Sequence, residues 1–269
     1  IDEDEGRIIE VGEGIPRDRS AVGDDQSIIC PGFVDAHLHF PQIDSIGCDG
    51  LDLLDWLERI IFPAEMRWQD EEFAAKQIRE AYRRMFRAGT LGYAAFLTSH
   101  FHGYQQCVRA GHDLQLRGYV GQSMMDRHVP PALLGHDLTR IARSEKARVT
   151  ASVNPRFAVS CSDDMLEIAR KKMRDDSIVH THLAESKREC EMVRDLLPDD
   201  PHYTGVYDRH GLLTPRTLLA HAIHLSQAEW EHIAQRGSIV VHCPGANVFL
   251  QSGIFDLRAA REHGVRVAL

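Results

Sequence analysis

No apolar run in the 269-residue chain approaches the ~18 residues that a membrane-spanning helix needs, so no stretch reads as a span. Positive charge is in the minority: 31 Lys and Arg against 40 Asp and Glu leave a net charge of −9, with no basic cluster interleaved with aromatics. A balance of that sign argues against nucleic-acid and anionic-membrane partners. The six cysteines (Cys30, Cys48, Cys107, Cys161, Cys190 and Cys243) are scattered, with no CxxC pair and no tight framework. In a chain this long that pattern predicts reduced, mostly structural thiols and a cytoplasmic setting. Internal repeats and low-complexity segments are missing too. So is a dinucleotide loop: Gly12 and Gly14 begin a GxGxxG, but Arg17 stands at the third glycine position and no helical pattern follows.

What is present is an alternation of strands and helices. Residues 7–14 (RIIEVGEG) predict a short strand and 15–26 a polar connector, so 1–27 read as part of a small N-terminal β domain. From residue 28 onward, strands are expected at 33–36, 91–97, 119–124, 149–153, 178–183, 218–222, 239–242 and 265–269. Helices are expected at 51–62, stopping before Pro63, and at 70–88, 104–116, 138–144, 163–173, 187–196, 227–236 and 255–263. A loop carrying Tyr203 and Tyr207 fills the gap before residue 218. Repeated strand-then-helix order implies parallel strands with right-handed crossovers. The expected fold class is therefore α/β, a (β/α)8 TIM-like barrel over 28–269, the usual length of such a barrel being about 250 residues. The chain opens on Ile1, and its last residues, VRVAL, read as a strand cut in mid-course. The C-terminal part of the fold is thus expected to lie beyond residue 269.

In such a barrel the chemistry gathers at the C-terminal ends of the strands, and histidines stand there repeatedly. His37 and His39 close the first strand in PGFVDAHLHFPQ, spaced i, i+2, so both imidazoles can share one face. His182 ends the fifth strand, with Glu185 three residues on in HTHLAE, and His221 ends the sixth in LLAHAIHL. Imidazoles from three strand ends make a nitrogen-rich site for a borderline divalent ion, which lowers the pKa of a bound water towards ~7. A carboxyl placed like Glu185 can shuttle protons beside it. Other readings stand next to these. His180 could replace His182 as a ligand, and His100 with His102 could form a second pair or simply be polar loop residues. Arg156, after the fourth strand, could pair with an acid at the rim, Gln42 could be an ordinary loop residue, and His242 could line the pocket without touching the ion. The remaining histidines fall on helices or loops and read as packing or surface groups.

PGFVDAHLHFPQ, NPRFAVSC, HTHLAES, LLAHAIHL and VVHCPGANVFLQSG occur in the order of the amidohydrolase superfamily, which the chain resembles over nearly its whole length. With LLDWLERIIFPAE and HYTGVYDRHGLLT added, it is more narrowly similar to the guanine deaminases. The resemblance implies a homodimeric, zinc-dependent enzyme of purine catabolism that deaminates guanine hydrolytically to xanthine and ammonia. It implies one zinc per chain on His37, His39, His182 and His221, with Glu185 shuttling protons. Gln42, Arg156 and Phe157 would hold the purine, with His242 lining the same pocket. Arg156 suits a carbonyl-bearing ring edge because its fork is planar. The family's further metal group, an Asp in a Gly-(Ser/Thr)-Asp run after strand eight, does not occur, so little turnover is expected of residues 1–269 alone. Deaminases that use HxE with PCxxC are excluded, since neither motif is present. The alternatives are a superfamily hydrolase acting on another purine, a pterin or a triazine, and a non-catalytic member of the family.

Overall fold

The computed structural model describes residues 7, 8, 11–14, 23, 24, 26–135 and 148–269. It divides into two compact units, Ile1–Pro31 and Gly32–Leu269, four residues beyond the boundary expected at 27/28. In the first unit the described residues are exposed and Arg7 alone sits in a β bridge. A local turn there is held by Asp24, whose Oδ1 accepts from the Gln26 amide (3.0 Å) and the Ser27 hydroxyl (2.7 Å). The helix expected at 138–144 lies outside the described residues.

The second unit carries the barrel. Its strands are β1 (Phe33–His39), β2 (Thr90–Phe96), β3 (Arg117–Gly121), β4 (Val149–Ala151), β5 (Val179–Leu183), β6 (Thr217–His221), β7 (Ile239–Val241) and β8 (Arg266–Ala268). They form two four-stranded parallel sheets, β1-β2-β3-β4 and β8-β7-β6-β5. Backbone hydrogen bonds join the sheets at both seams. The Ala36 amide donates to the Leu269 carbonyl (3.1 Å) on one side. On the other, the Val153 amide donates to Ile178 (2.9 Å) and the His180 amide to Val153 (2.9 Å). The result is the predicted eight-stranded parallel barrel.

Local sequence explains most elements. The longest helix, Glu71–Arg87, starts at Asp70, whose carboxylate accepts from the Glu72 and Phe73 amides. It ends before Gly89, where φ is +77°. Its inner face buries Ala74, Ile78, Ala81 and Tyr82, and each large side chain among these contributes roughly 1.5–3 kcal/mol of burial.

The structure corrects three expectations and adds one element. The helix expected to stop before Pro63 continues through it, as Leu53–Trp56, a wide π-turn at Leu57–Ile61, and Phe62–Met66. The Phe62 amide reaches back to the Leu57 carbonyl, and Pro63 falls in the first turn of the next segment, where its missing N–H costs little. The loop with Tyr203 and Tyr207 is a helix, Tyr203–Arg209, capped by the His202 ring and burying Tyr203, Val206 and Tyr207 at i, i+3, i+4 spacing. A short helix, Pro244–Phe249, opens on its proline. Finally, the strands expected at 119–124 and 149–153 break. Their ends, Ser123–Met124 and Asn154–Pro155, pair with each other and lead Arg156 and Phe157 to the barrel mouth.

Candidate metal centre

β1 delivers His37 and His39, but with a register shift between Asp35 and Leu38 against β2. That bulge breaks the strict alternation on which a shared face depends. The two rings stand nearly perpendicular, 5.0 Å apart at 80°. His37 turns towards the ends of β5 and β6, where the ligand atoms of His37, His182 and His221 lie within 4.8 Å of one another. His39 falls just outside this shared set. Its Nε2 lies 3.0 Å from His182 Nε2, and its ring stacks on Phe96 at 4.7 Å and 11°. His180 does not join the shared set either. It is buried with Nε2 2.8 Å from His37 Nδ1, so it acts as a partner of a candidate ligand.

Each of the other two imidazoles is oriented through its second nitrogen. His182 Nδ1 meets the Arg156 carbonyl at 2.6 Å; that oxygen only accepts, so Nδ1 carries the proton and Nε2 is left with its lone pair. His221 Nδ1 meets Asn247 Oδ1 at 2.8 Å in the same sense. The strand ends are bent to do this. His221 and Ala222 have φ of 72° and 49°, and Ala184 has 47°, left-handed values that non-glycine residues adopt at a cost of about 1–3 kcal/mol each. The Ala222 amide donates to the Leu183 carbonyl (2.8 Å) and the Ile223 amide to the Ala184 carbonyl (3.1 Å), which holds the bends in place.

Burial keeps these rings neutral: it holds His37, His39 and His182 well below the usual histidine range and His180 at about 3, and it lowers His221. Neutral imidazoles of His37, His182 and His221, with ligand atoms within 4.8 Å of one another and His182 and His221 buried, suit a divalent cation as donors. The residues therefore fit the metal ion that the sequence implies.

Glu185 stands beside them. Its Oε2 is 3.4 Å from His221 Nε2, and Ser252 Oγ donates to its Oε1 at 3.4 Å. Burial pushes its carboxyl up to about 8, against the pull of the Ser252 bond and the Arg156 charge. Its amide donates to Glu189 Oε2 at 2.8 Å. Glu189 also accepts from the Ser186 amide (3.0 Å) and, through Oε1, from the Tyr203 hydroxyl (2.7 Å). Tyr207 donates to the His182 carbonyl at 2.7 Å, so the helix Tyr203–Arg209 supports both Glu185 and His182 from behind.

A cavity of about 490 Å³ opens over this cluster, lined by Gln42, Arg156, Phe157, His182, Glu185 and His221 among others. Arg156 is buried in its wall and pairs with the buried Glu65, so the rim-acid alternative holds together with the pocket placement. Phe157 meets His182 edge-on at 6.4 Å and 65°. His242 lines a neighbouring cleft with Asp35 and His37 instead, its ring stacked on Phe255 at 4.8 Å. His100 is engaged through both ring nitrogens, on Thr98 and the Ala132 carbonyl, and His102 through Nε2 on the Trp68 carbonyl. Sequence reasoning missed Asn247, Glu189, Tyr203 and Glu65. Only Glu189 left a readable sign, the Ser-x-x-Glu spacing of a capping box at Ser186.

Comparison with known proteins follows the same geometry. The model of the amidohydrolase family matches residues 28–269. Guanine deaminase of Escherichia coli (strain K12) is 33% identical over 252 residues, which span 90% of this chain and 57% of that protein. A solved structure of E. coli guanine deaminase superposes with a TM-score of 0.84 at 34% identity, over 88% of this chain and 57% of that one. One from C. acetobutylicum with guanine bound in its active site gives 0.83 at 28% identity, over 89% of this chain and 60% of that one. The chain thus spans less than two thirds of the length of these relatives.

Proposed function

Because the chain belongs to the amidohydrolase family, we propose that the protein is a zinc-dependent guanine deaminase, converting guanine and water to xanthine and ammonia. The observation that carries this reading is one cavity. It joins the clustered imidazoles of His37, His182 and His221 to the buried Glu185 carboxyl and to a wall of Gln42, Arg156 and Phe157. The guanine deaminases among its relatives supply the substrate.

His37, His182 and His221 would hold one zinc per chain, with His39 as the adjacent fourth ligand; what the ion supplies when bound is a water acidic enough to act as nucleophile at neutral pH. Glu185, held up to about 8, carries a proton at that pH. It gives that proton to the ring nitrogen next to the amino-bearing carbon of guanine. It takes one proton from the attacking water and passes it to the departing amine, then takes back the other as the new hydroxyl becomes the carbonyl, which restores the protonated carboxyl. A C–O bond forms, the C–N bond breaks, and ammonia leaves. Phe157 offers the purine a flat apolar contact, while Gln42 and Arg156 hydrogen-bond its edge. A site built on such polar contacts rejects purines that lack the partner group far better than one that judges size alone. The same reading includes a homodimer acting in cytoplasmic purine catabolism, which rests on the family likeness alone.

The test is ammonia release by the full-length, zinc-loaded protein from guanine, other purines, pterins and triazines. Guanine is expected to be the preferred substrate. Equal release from a pterin or triazine would move the protein elsewhere in the superfamily, and no release from any substrate would make it a non-catalytic member.

A further inference from the structure

One member of a buried ion pair, Glu65, has no part in the chemistry above. Glu65 is fully buried and Arg156 is 2% exposed. Both Glu65 oxygens accept from the same nitrogen, Nη1 of Arg156, at 2.9 and 2.6 Å. Met125 Sδ lies against that nitrogen too, at 3.7 Å. The Phe62 ring lies 5.5 Å from the guanidinium carbon. Nε and Nη2 donate to nothing among the described residues. An acid that only neutralised the charge could take the guanidinium side-on, through Nε and Nη2, the usual two-pronged pairing. Here the acid takes the other end, which leaves the side-on fork unpaired among the described residues, and Arg156 lines the cavity.

The wide turn at Leu57–Ile61 makes this possible. An inserted residue rotates everything after it by about 100°, one residue's share of a 3.6-residue turn. Phe62 and Glu65, three apart, share a face of the following segment, and both are buried and meet Arg156.

We propose that Glu65 is a positioning residue for substrate selection: by holding Nη1 of Arg156 it aims the free Nε–Nη2 fork at a carbonyl-bearing purine edge. This rests on the guanine reading of the site and adds to it the residue that sets the arginine's angle. A ring edge that offers the carbonyl oxygen and the adjacent ring nitrogen gains two parallel hydrogen bonds; one without the carbonyl leaves a buried donor unmatched.

The experiment compares guanine with 2-aminopurine, which keeps the amino group and lacks the ring carbonyl, by equilibrium dialysis and steady-state kinetics on the full-length protein. Wild type is expected to bind guanine at least about tenfold more tightly. In Glu65→Gln guanine binding weakens by about tenfold, 2-aminopurine binding stays within about threefold, and KM moves far more than kcat. Zinc content, which a general structural collapse would lower, stays at the wild-type level. A folded Glu65→Gln that keeps full discrimination overturns the proposal. If that variant does not fold, Glu65→Asp keeps the charge and shortens the reach. A loss of about threefold or more in discrimination supports the proposal, and unchanged discrimination overturns it. Wild type with no preference overturns the guanine reading and this inference with it, whereas preference retained in the variants overturns this inference alone.

Discussion

Two capping boxes sit side by side behind the barrel mouth. Ser186 with Glu189 caps the helix after β5, and Ser226 with Glu229 caps the helix after β6. Both glutamates are buried, and both reach the helix Tyr203–Arg209. Glu189 accepts from the Tyr203 hydroxyl, and Glu229 from the Thr204 amide (3.2 Å) and hydroxyl (3.1 Å). They differ in which further groups they hold. Glu189 also accepts the amide of Glu185, the proposed proton carrier, whereas the other bonds of Glu229 stay within its own cap at Ser226. The same four-residue motif thus serves a helix end alone in one case, and a helix end together with the chemistry in the other. What separates them is the length of the connection: Ser186 follows the last residue of β5, Leu183, by three positions, whereas Ser226 follows the last residue of β6, His221, by five.

Breaking both boxes separates the two roles. Glu189→Ala and Glu229→Ala should each cost about 2–4 kcal/mol, since each strands buried donors. Per folded molecule, however, Glu189→Ala should lower the proposed deamination by about 10²-fold because Glu185 is no longer held, while Glu229→Ala should leave it within about threefold. Chemical denaturation and initial rates on the same samples check both halves.

A pH series probes Glu189 by itself. Burial, and then the nearby Glu185, push its carboxyl up to about 7 from an ordinary 4.5. A raised acid pKa means that the native state holds the proton more tightly than the unfolded chain. The stabilising contribution is therefore complete below 4.5 and is lost as pH rises towards 7, by up to roughly 3 kcal/mol. Unfolding at pH 5 and pH 8 should show this loss as the difference between wild type and Glu189→Gln, since the contributions of Glu185 and of the buried histidines are common to both.

Smaller cuts sharpen the same contrast. Tyr203→Phe removes the donor to Glu189 Oε1 and should cost about 1–2 kcal/mol together with a roughly tenfold loss of rate. Thr204→Val removes one bond to Glu229 and should cost about 1 kcal/mol with the rate unchanged. Ser186→Ala and Ser226→Ala each lose a cap worth about 1 kcal/mol and should leave the rate alone, readable as shifts in melting temperature.

Much of this architecture was legible in the chain. Strand-helix alternation gave the barrel, and histidines at strand ends marked where to look. Periodicity failed where backbone geometry departs from the ideal. The π-turn at Leu57–Ile61 carries a helix through Pro63, and the register shift in β1 sets the His37 and His39 rings nearly perpendicular. The groups that orient the ligands were invisible for a different reason. Asn247, Tyr203 and Glu65 reach His221, Glu189 and Arg156 from 26, 14 and 91 residues away in sequence, and no local pattern records such contacts. The helix Tyr203–Arg209 shows the intermediate case. Its apolar spacing was present, but it was short and lay between polar residues.

The central claim is that His37, His182 and His221 share one cation, and Co2+ substitution followed by visible spectroscopy tests it most directly. One equivalent per chain is expected, with the absorption of a low-symmetry nitrogen-ligated site that disappears in His182→Ala and in His221→Ala. A wild-type protein that binds no cobalt, or one whose spectrum survives both substitutions unchanged, would contradict the account.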